Sequence, residues 1–213
     1  MNRYLANKLH GVMQAWGGHT YEDLRHSELI PTRSAVLGML AACVGIDRGD
    51  IAGLESLSES VRMAVRLDSK PQRIMDFHTV MDARKVDGKP NPNPVVSKRE
   101  YLCDAKYTIL IQTVSETTYT LESLEQAIKK PVYTPFLGRR SCLLSRPLFE
   151  TVVLAIDFKQ AFALCEPMGG VIYSDEKLYK DDALWRMRDE PVYARKRQFA
   201  TRNVYIHSQA QEE

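Results

Sequence analysis

The sequence lacks the features that mark membrane-spanning, secreted and metal-binding proteins. No apolar run among its 213 residues approaches the twenty or so that a bilayer-spanning helix needs. The N-terminus turns polar too early for a signal peptide. The four cysteines, Cys43, Cys103, Cys142 and Cys165, form no Cys-x-x-Cys pair, which indicates thiols in a reducing compartment rather than a zinc or redox site. We therefore expect a cytoplasmic protein with no membrane association, no metal and no cofactor.

The common catalytic motifs are also missing. The five histidines are scattered without a His-x-x-x-His pair, and the chain has no Gly-x-Ser-x-Gly elbow and no Walker loop. A metal-independent ribonuclease could still use a histidine with a tyrosine and a lysine. His78, with Tyr101 and Lys106, is the candidate for that chemistry. Because a lone histidine beside an aromatic is more often structural, we expect no catalytic residue and keep the ribonuclease as an alternative.

What is present is an alternation of strand and helix patterns. The hydrophobic content of 44% is ordinary for a globular protein, and a net charge of +2 argues neither for nor against nucleic acid. The order of elements predicts an α+β ferredoxin-like fold. The predicted elements are strands at Tyr4–His10, Val61–Leu67, Arg99–Val114, Thr151–Ile156 and Asn203–His207, and helices from Thr32 or Ser34 to Gly45, over Asp50–Glu59, Leu121–Lys130 and Asp157–Cys165.

Two stretches show no regular pattern. Gly11–Gly18 is predicted to be a loop. The pattern is also lost between Asp68 and Lys98, where Gly88–Pro94 holds three prolines in seven residues and is predicted to be the mobile tip of a long insertion. Long excursions of this kind are usually functional or disordered.

The turn Leu137–Cys142 is the strongest candidate for a binding site. Gly138 lets the backbone approach a ligand closely, and Arg139 and Arg140 place two planar, charged guanidinium groups beside it. Such a turn suits an anion with several oxygens, above all phosphate. The alternative is a plain turn with two solvated arginines.

Other residues extend this prediction towards nucleic acid. Gln14 and Trp16 stand between glycines, where the aromatic ring either stacks on a base or anchors the loop in the core. Arg33 at a helix start can donate to phosphate beside free backbone N–H groups. Basic residues of the insertion, including Arg84, Lys85 and Lys89, could follow a nucleic-acid backbone.

Several ordered motifs together resemble a known family. They are similar to the fifth family of CRISPR-associated proteins, a RAMP-superfamily subunit of the type I-E Cascade surveillance complex. The resemblance covers Tyr4 to about Tyr205. The motifs are Gly11-x-Met13-Gln14-Ala15-Trp16-Gly17, Pro31-Thr32-Arg33-Ser34, Arg99-Glu100-Tyr101-Leu102-Cys103-Asp104-Ala105, Tyr133-Thr134-Pro135-x-Leu137-Gly138-Arg139-Arg140-Ser141-Cys142, Arg188-Asp189-Glu190-Pro191 and Arg197-Gln198-Phe199-Ala200-x-Arg202.

The resemblance implies a RAMP-type ferredoxin-like (βαββαβ) domain over residues 1–150. A thumb insertion at about 68–98 would protrude from it, and a short C-terminal extension, residues 151–213, would pack on the same body. The implied function is a non-catalytic subunit that holds the 5′ handle of CRISPR RNA and caps the complex backbone, beside the CasC backbone subunit and the large CasA subunit. Target DNA would be met only indirectly, through the complex.

The same resemblance assigns roles to residues. The expected RNA contacts are Met13, Gln14, Trp16, Arg33, Gly138, Arg139, Arg140 and Ser141, and the expected partner contacts of the thumb are Arg84, Lys85 and Lys89. A related subtype uses its version of this protein as the repeat-processing ribonuclease, with a Lys-His dipeptide beside a tyrosine. This sequence has no Lys-His dipeptide, which favours the non-catalytic role. A pure protein–protein adaptor is a further alternative.

Overall fold

A seven-stranded antiparallel sheet forms the body of the protein within residues 1–21, 23–85, 87–193 and 198–208, which the computed structural model describes. All neighbouring strands of this sheet run antiparallel. Across the sheet the order is β11 (Ala183–Pro191), β12 (Phe199–Ser208), β10 (Val171–Ser174), β5 (Val61–Ser69), β8 (Lys106–Thr113), β1 (Asn2–His10) and β9 (Phe149–Ala155).

The central strands carry the predicted ferredoxin-like topology. Helix α1 (Arg33–Val44) leads from β1 towards β5, and α3 (Leu121–Lys129) connects β8 to β9. The chain order is therefore βαββαβ, and the spatial order β5-β8-β1-β9 places the first and third strands of the motif in the middle. The α+β prediction is confirmed.

Local sequence sets the ends of these two helices. The Thr32 hydroxyl accepts from the Ala35 amide and caps α1, and Gly45 ends it at a φ of 91°. Thr120 caps α3 in the same way. Both helices pack on one face of the sheet over a large apolar core, while α4 (Phe158–Ala163) covers the other face. A further helix, α2 (Ile51–Ser60), precedes β5.

The described residues also form a second sheet, of five strands. Its strands are β2 (Met13–Gln14), β3 (Trp16–Tyr21), β4 (Leu24–Glu28), β6 (Gln72–Val80) and β7 (Val95–Cys103). Strand β7 pairs with β6 and β2 in antiparallel and with β4 in parallel orientation. The prediction of a loop over Gly11–Gly18 is therefore wrong, because pairing with distant residues overrides the weak strand propensity of glycine.

The insertion is a regular β-hairpin rather than an irregular excursion. Strands β6 and β7 pair in continuous register from Gln72 opposite Cys103 to Val80 opposite Val95. Residues 72–79 are all exposed, so the hairpin protrudes as a thumb, and neither face gives the periodic apolar signal of a buried strand. The predicted single strand Arg99–Val114 is divided into β7 and β8 at Asp104, which has a φ of 56°.

The tip of the thumb is hydrogen-bonded. The Lys85 amide donates to the Lys89 carbonyl at 2.8 Å, and the Asn91 amide donates to the Ala83 carbonyl at 2.7 Å. The side chains of Arg84, Lys85 and Lys89 are exposed, so the tip presents three cations to solvent.

The C-terminal part contains strands that sequence patterns did not reveal. Beyond Cys165 the only predicted element was the strand Asn203–His207, and β10 and β11 extend the same sheet. Arg197, at the start of one family-like motif, lies outside the described residues. None of the helices in the described ranges is long and apolar enough to cross a membrane. Across those ranges, no group of histidine, cysteine, aspartate or glutamate side chains is arranged to hold a metal ion.

Candidate nucleic-acid interface

A groove of about 770 Å³ lies between the thumb hairpin and the turn Leu137–Cys142. One wall is formed by one face of the hairpin and the other by the arginine turn, with Met13 between them. The lining residues are Met13, Ile74, Met75, Asp76, His78, Arg99, Tyr101, Arg139, Arg140 and Ser141. The fold thus brings four of the predicted RNA contacts, Met13, Arg139, Arg140 and Ser141, into one groove.

Backbone hydrogen bonds close the arginine turn and fix it to the second sheet. The Leu137 amide donates to the Cys142 carbonyl at 2.7 Å, and the Cys142 amide donates to the Arg139 carbonyl at 2.8 Å. The Ala15 amide donates to the Leu137 carbonyl at 3.1 Å. Leu137 and Cys142 are buried, and burial raises the pKa of the Cys142 thiol. The turn is therefore a rigid platform rather than a mobile loop.

Gly138 is required by the geometry of this turn. Its φ is 85°, and a Cβ built on it would lie 1.8 Å from the Ala15 carbonyl oxygen. No other residue fits there without moving the backbone. The two motifs that contain Ala15 and Gly138 are distant in sequence but are packed directly against each other.

Arg139 and Arg140 have different environments. The Arg139 guanidinium donates to the Glu100 carbonyl at 3.0 Å and to the Arg25 carbonyl at 3.3 Å, and its carbon lies 4.4 Å from the centre of the Tyr101 ring. Arg140 is exposed, and no hydrogen bond or ion pair within the described part of the chain engages it. Arg139 therefore ties the turn to the hairpin, while Arg140 is available to a ligand.

The hairpin wall presents cross-strand pairs to the groove. Ile74 is opposite Tyr101 and Asp76 is opposite Arg99, so these side chains share one face of the hairpin. The Arg99 Nε donates to the Ser97 hydroxyl at 3.1 Å, which leaves the terminal nitrogens of its guanidinium without a partner among the described residues. Arg99 and Arg140 are thus two cations facing one groove.

Glu100 supports this wall from the opposite face of the hairpin. Its carboxylate accepts from the Ser27 amide and from Arg73, each at 2.9 Å. Burial acts to raise the pKa of Glu100, but the Ser27 amide and the Arg73 guanidinium outweigh it and hold that pKa below its ordinary value.

Gln14 and Trp16 lie in the core rather than at the groove. Trp16 is 1% exposed and packs edge-on against Tyr107, so its ring has no free face for a base. The Gln14 side-chain amide is fully buried and donates to the carbonyls of Leu9 and Ala105. Of the two interpretations of Trp16, the structure supports the core anchor, and the predicted side-chain contacts of both residues with RNA require a correction.

Arg33 is also buried in internal interactions. Its guanidinium lies 3.0 Å from Asp175 and 2.7 Å from Glu190, and it donates to the carbonyls of Ser58 and Val61. The Arg33 backbone amide, one of the N–H groups at this helix start, donates to Asp189 at 2.7 Å. Arg33 therefore fixes the start of α1 to the C-terminal strands.

The three residues proposed for ribonuclease chemistry are not assembled. His78 lies opposite Ser97, four residues along β7 from Tyr101, which is about 13 Å in an extended strand. Lys106 belongs to the other sheet, opposite His10 and Ser69. His78 thus has neither of its two predicted catalytic partners beside it.

The groove residues that sequence reasoning missed come from the hairpin. Ile74, Asp76 and Arg99 face the arginine turn only because β6 pairs with β7 in the observed register. Sequence patterns gave little signal for this hairpin, because residues 72–79 are all exposed and show no period-two apolar pattern.

Comparison with known proteins identifies relatives over nearly the whole chain. Residues 4–205 match the family model described as CRISPR-associated protein (Cas_Cas5). The CRISPR system Cascade subunit CasD of Escherichia coli (strain K12) is 42% identical in an alignment that is 215 residues long with its gaps. The alignment covers 97% of this chain and 96% of that protein.

Solved structures show the same fold. A chain from a CRISPR RNA-guided surveillance complex aligns with a TM-score of 0.76 at 23% identity, over 96% of this chain and 89% of that one. A crystal structure of a Cas protein aligns with a TM-score of 0.67 at 26% identity, over 96% and 93% of the two chains.

Proposed function

Since the chain belongs to the Cas5 family of CRISPR-associated proteins, we propose that it is a non-catalytic structural subunit of a type I-E Cascade complex that holds the 5′ handle of CRISPR RNA. The observation that carries the proposal is the guanidinium of Arg140, which lines a groove with Arg99 and is engaged by no hydrogen bond or ion pair among the described residues. The similarity to a Cascade subunit supports the same conclusion.

The chemistry of the groove suits a single-stranded RNA backbone. Arg99 and Arg140 offer planar, always charged donors to phosphate oxygens, and Ser141 adds a hydroxyl. Met13 and Ile74 give apolar surface for the face of a base, and the guanidinium carbon of Arg139 lies 4.4 Å from the centre of the Tyr101 ring. In RNA-guided complexes the protein holds the guide by shape and backbone, while base pairing reads the target.

The partners follow from the family. We place the protein in the cytoplasm, at the 5′ end of the guide, next to the CasC backbone subunit and the CasA large subunit, with target DNA reached only through the complex. The thumb tip, with Arg84, Lys85 and Lys89, is the surface that we assign to the neighbouring backbone subunit. Its protrusion and its exposed cations support that assignment.

An electrophoretic mobility assay tests the RNA site. The protein is co-expressed with CasC, and the retention of 5′-handle RNA is compared between wild type and Arg140→Ala, with Arg48→Ala as control because Arg48 is an exposed arginine far along the chain from the groove residues. We expect Arg140→Ala to weaken handle binding and to flatten the slope of log affinity against log salt by about 0.7, the value for one lost phosphate contact on a single strand. Equal affinities and equal slopes in both variants would place the RNA site elsewhere.

The same preparations test the absence of catalysis. Repeat RNA incubated with the wild-type protein in EDTA should remain intact, because His78 has no assembled acid–base partners. A specific cleavage product that disappears in His78→Ala would replace this proposal with the ribonuclease.

A further inference from the structure

Asp76 is an unexpected residue in a groove for a polyanion. It lies on the hairpin wall in cross-strand register with Arg99, and both side chains line the groove. Its side chain is exposed, and it forms no hydrogen bond or ion pair with any of the described residues, Arg99 included. A free carboxylate thus stands among the arginines that we assign to phosphate.

The charge of Asp76 opposes the binding of phosphate. A carboxylate can only accept hydrogen bonds at neutral pH, so it repels the oxygens of the RNA backbone and matches only donor groups. In RNA the donors are the amino and imino groups on base edges and the 2′-hydroxyl of ribose.

The surroundings of Asp76 favour such a donor. Ile74, two residues away on the same face, and Met13 supply apolar surface on which a base can lie, while Arg99 is positioned for the phosphate of the same nucleotide. A nucleotide held in this way turns its base edge or its ribose towards the carboxylate.

We propose that Asp76 is a specificity-determining residue that accepts a hydrogen bond from a base amino group of the bound RNA, since the base edge differs between RNA sequences whereas the 2′-hydroxyl is common to all of them. The inference rests on the proposed function, since it assumes that the groove holds RNA. It assigns to the thumb hairpin a role in selecting which RNA is retained, in addition to the electrostatic attraction that every RNA shares.

Substitution of Asp76 separates selection from simple repulsion. All variants are measured in the complex with CasC. Asp76→Ala removes both the charge and the hydrogen-bond acceptor, whereas Asp76→Asn removes the charge alone. Asp181→Asn, at an exposed aspartate near β11, is the matched control. Affinity is measured for handle RNA and for unrelated RNA of the same length. Thermal melting checks that each variant is folded.

Selection predicts a change in the ratio of the two affinities. We expect Asp76→Ala to lower the preference for handle RNA by about tenfold or more, the effect of losing one hydrogen bond to a charged group. Asp76→Asn should lose less, because its amide oxygen still accepts. If Asp76→Ala strengthens the binding of both RNAs by the same factor, so that the ratio is unchanged, the residue only repels phosphate and the inference is overturned.

Modified RNAs identify the donor. Handle RNAs with single base replacements should bind wild type and Asp76→Ala equally at the one position whose base is read. Handle RNA with 2′-deoxyribose throughout should keep the difference between the two proteins, and loss of that difference would overturn the inference. The effect of Arg140→Ala on handle binding tests the proposed function independently of the Asp76 variants. Handle binding that needs Arg140 but shows an unchanged ratio in Asp76→Ala would leave the proposed function standing and would reject this inference alone.

Discussion

Gly138 and Ala15 lie in van der Waals contact through their backbones, so closely that a Cβ on Gly138 would come within 1.8 Å of the Ala15 carbonyl oxygen. This contact joins the arginine turn to the strand that precedes the buried Trp16. Arg140, two residues after Gly138, lines the groove together with residues of the hairpin.

The Gly138 contact predicts a large effect of Gly138→Ala. The methyl group must displace backbone, and the φ of 85° adds strain, so we expect a loss of roughly 3 kcal/mol or more in the free energy of unfolding. Urea denaturation of Gly88→Ala is the control. Gly88 has a similar φ of 81° with nothing within 4 Å, so it measures the strain alone at about 1 kcal/mol. Equal losses in the two variants would contradict the role of the contact.

Arg139 and Arg140 should separate stability from RNA binding. Arg139→Ala removes two hydrogen bonds and the stacking on Tyr101, so we expect it to destabilise the protein by about 1–3 kcal/mol. Arg140→Ala should change stability by less than about 0.5 kcal/mol. Thermal and urea unfolding measure both. A loss of stability in Arg140→Ala as large as in Arg139→Ala would show that Arg140 has a structural partner.

Substitution of Arg33 should lower the stability of the fold and leave the affinity for RNA unchanged. Its removal leaves Asp175 paired with Arg202 alone and takes away the ion-pair partner of Glu190, and burial already raises the pKa of the Asp175 carboxyl. We expect Arg33→Ala to destabilise the protein by roughly 3 kcal/mol or more. Handle affinity of the folded fraction, measured at low temperature where the variant is still folded, should match wild type. A selective loss of handle binding without loss of stability would restore the predicted contact with phosphate.

The lowered pKa of Glu100 predicts that the stability of the folded protein falls in acid. Its pKa is lower in the folded than in the unfolded protein, so between these two values the unfolded chain binds more protons and acid favours unfolding. Its contribution is complete above the unfolded pKa and is lost as the pH falls through the lowered pKa of the folded state. Glu100→Gln should therefore be less stable than wild type at pH 7, by on the order of 1 kcal/mol. That difference should shrink as the pH falls.

Urea midpoints at pH 7 and at about pH 4 measure this difference. Comparing the two proteins at each pH removes the contribution of Asp175, whose raised pKa has the opposite sign and is present in both. A difference that stays constant with pH would mean that Glu100 titrates alike in both states.

The thumb tip should matter for assembly and not for folding. The triple substitution of Arg84, Lys85 and Lys89 by alanine should lower co-purification with CasC, because it removes three exposed cations from the protruding hairpin. Replacement of Arg48, Lys177 and Lys180 by alanine is the control with the same charge change at exposed sites away from the thumb. Equal recovery of CasC with both triple variants would move the partner surface away from the tip.

Local sequence patterns were sufficient for the elements that carry their own signals. Thr32 and Gly45 delimit α1 because a hydroxyl cap and a left-handed glycine act within a few residues, and Thr120 does the same for α3. The thumb hairpin was missed because residues 72–79 of β6 are all exposed, which leaves no period-two pattern to detect in that strand.

The candidate site was predicted in part, by residue type. A glycine followed by two arginines indicated the turn, and the family motifs indicated RNA. Gln14, Trp16 and Arg33 are buried and do not line the groove. Gln14 and Arg33 donate hydrogen bonds to the Ala105 carbonyl and the Asp189 carboxylate, which are far away in the sequence.

The sequence by itself determined the helix ends, the βαββαβ order and the family, because caps, periodicity and ordered motifs are written within short stretches of chain. The tertiary structure was needed to show that, within the described part of the chain, Arg139 and Arg33 have internal partners and Arg140 has none, and that Asp76 faces the groove. The physical reason is that the availability of a charge depends on which distant acceptors surround it, and strand pairing sets those neighbours.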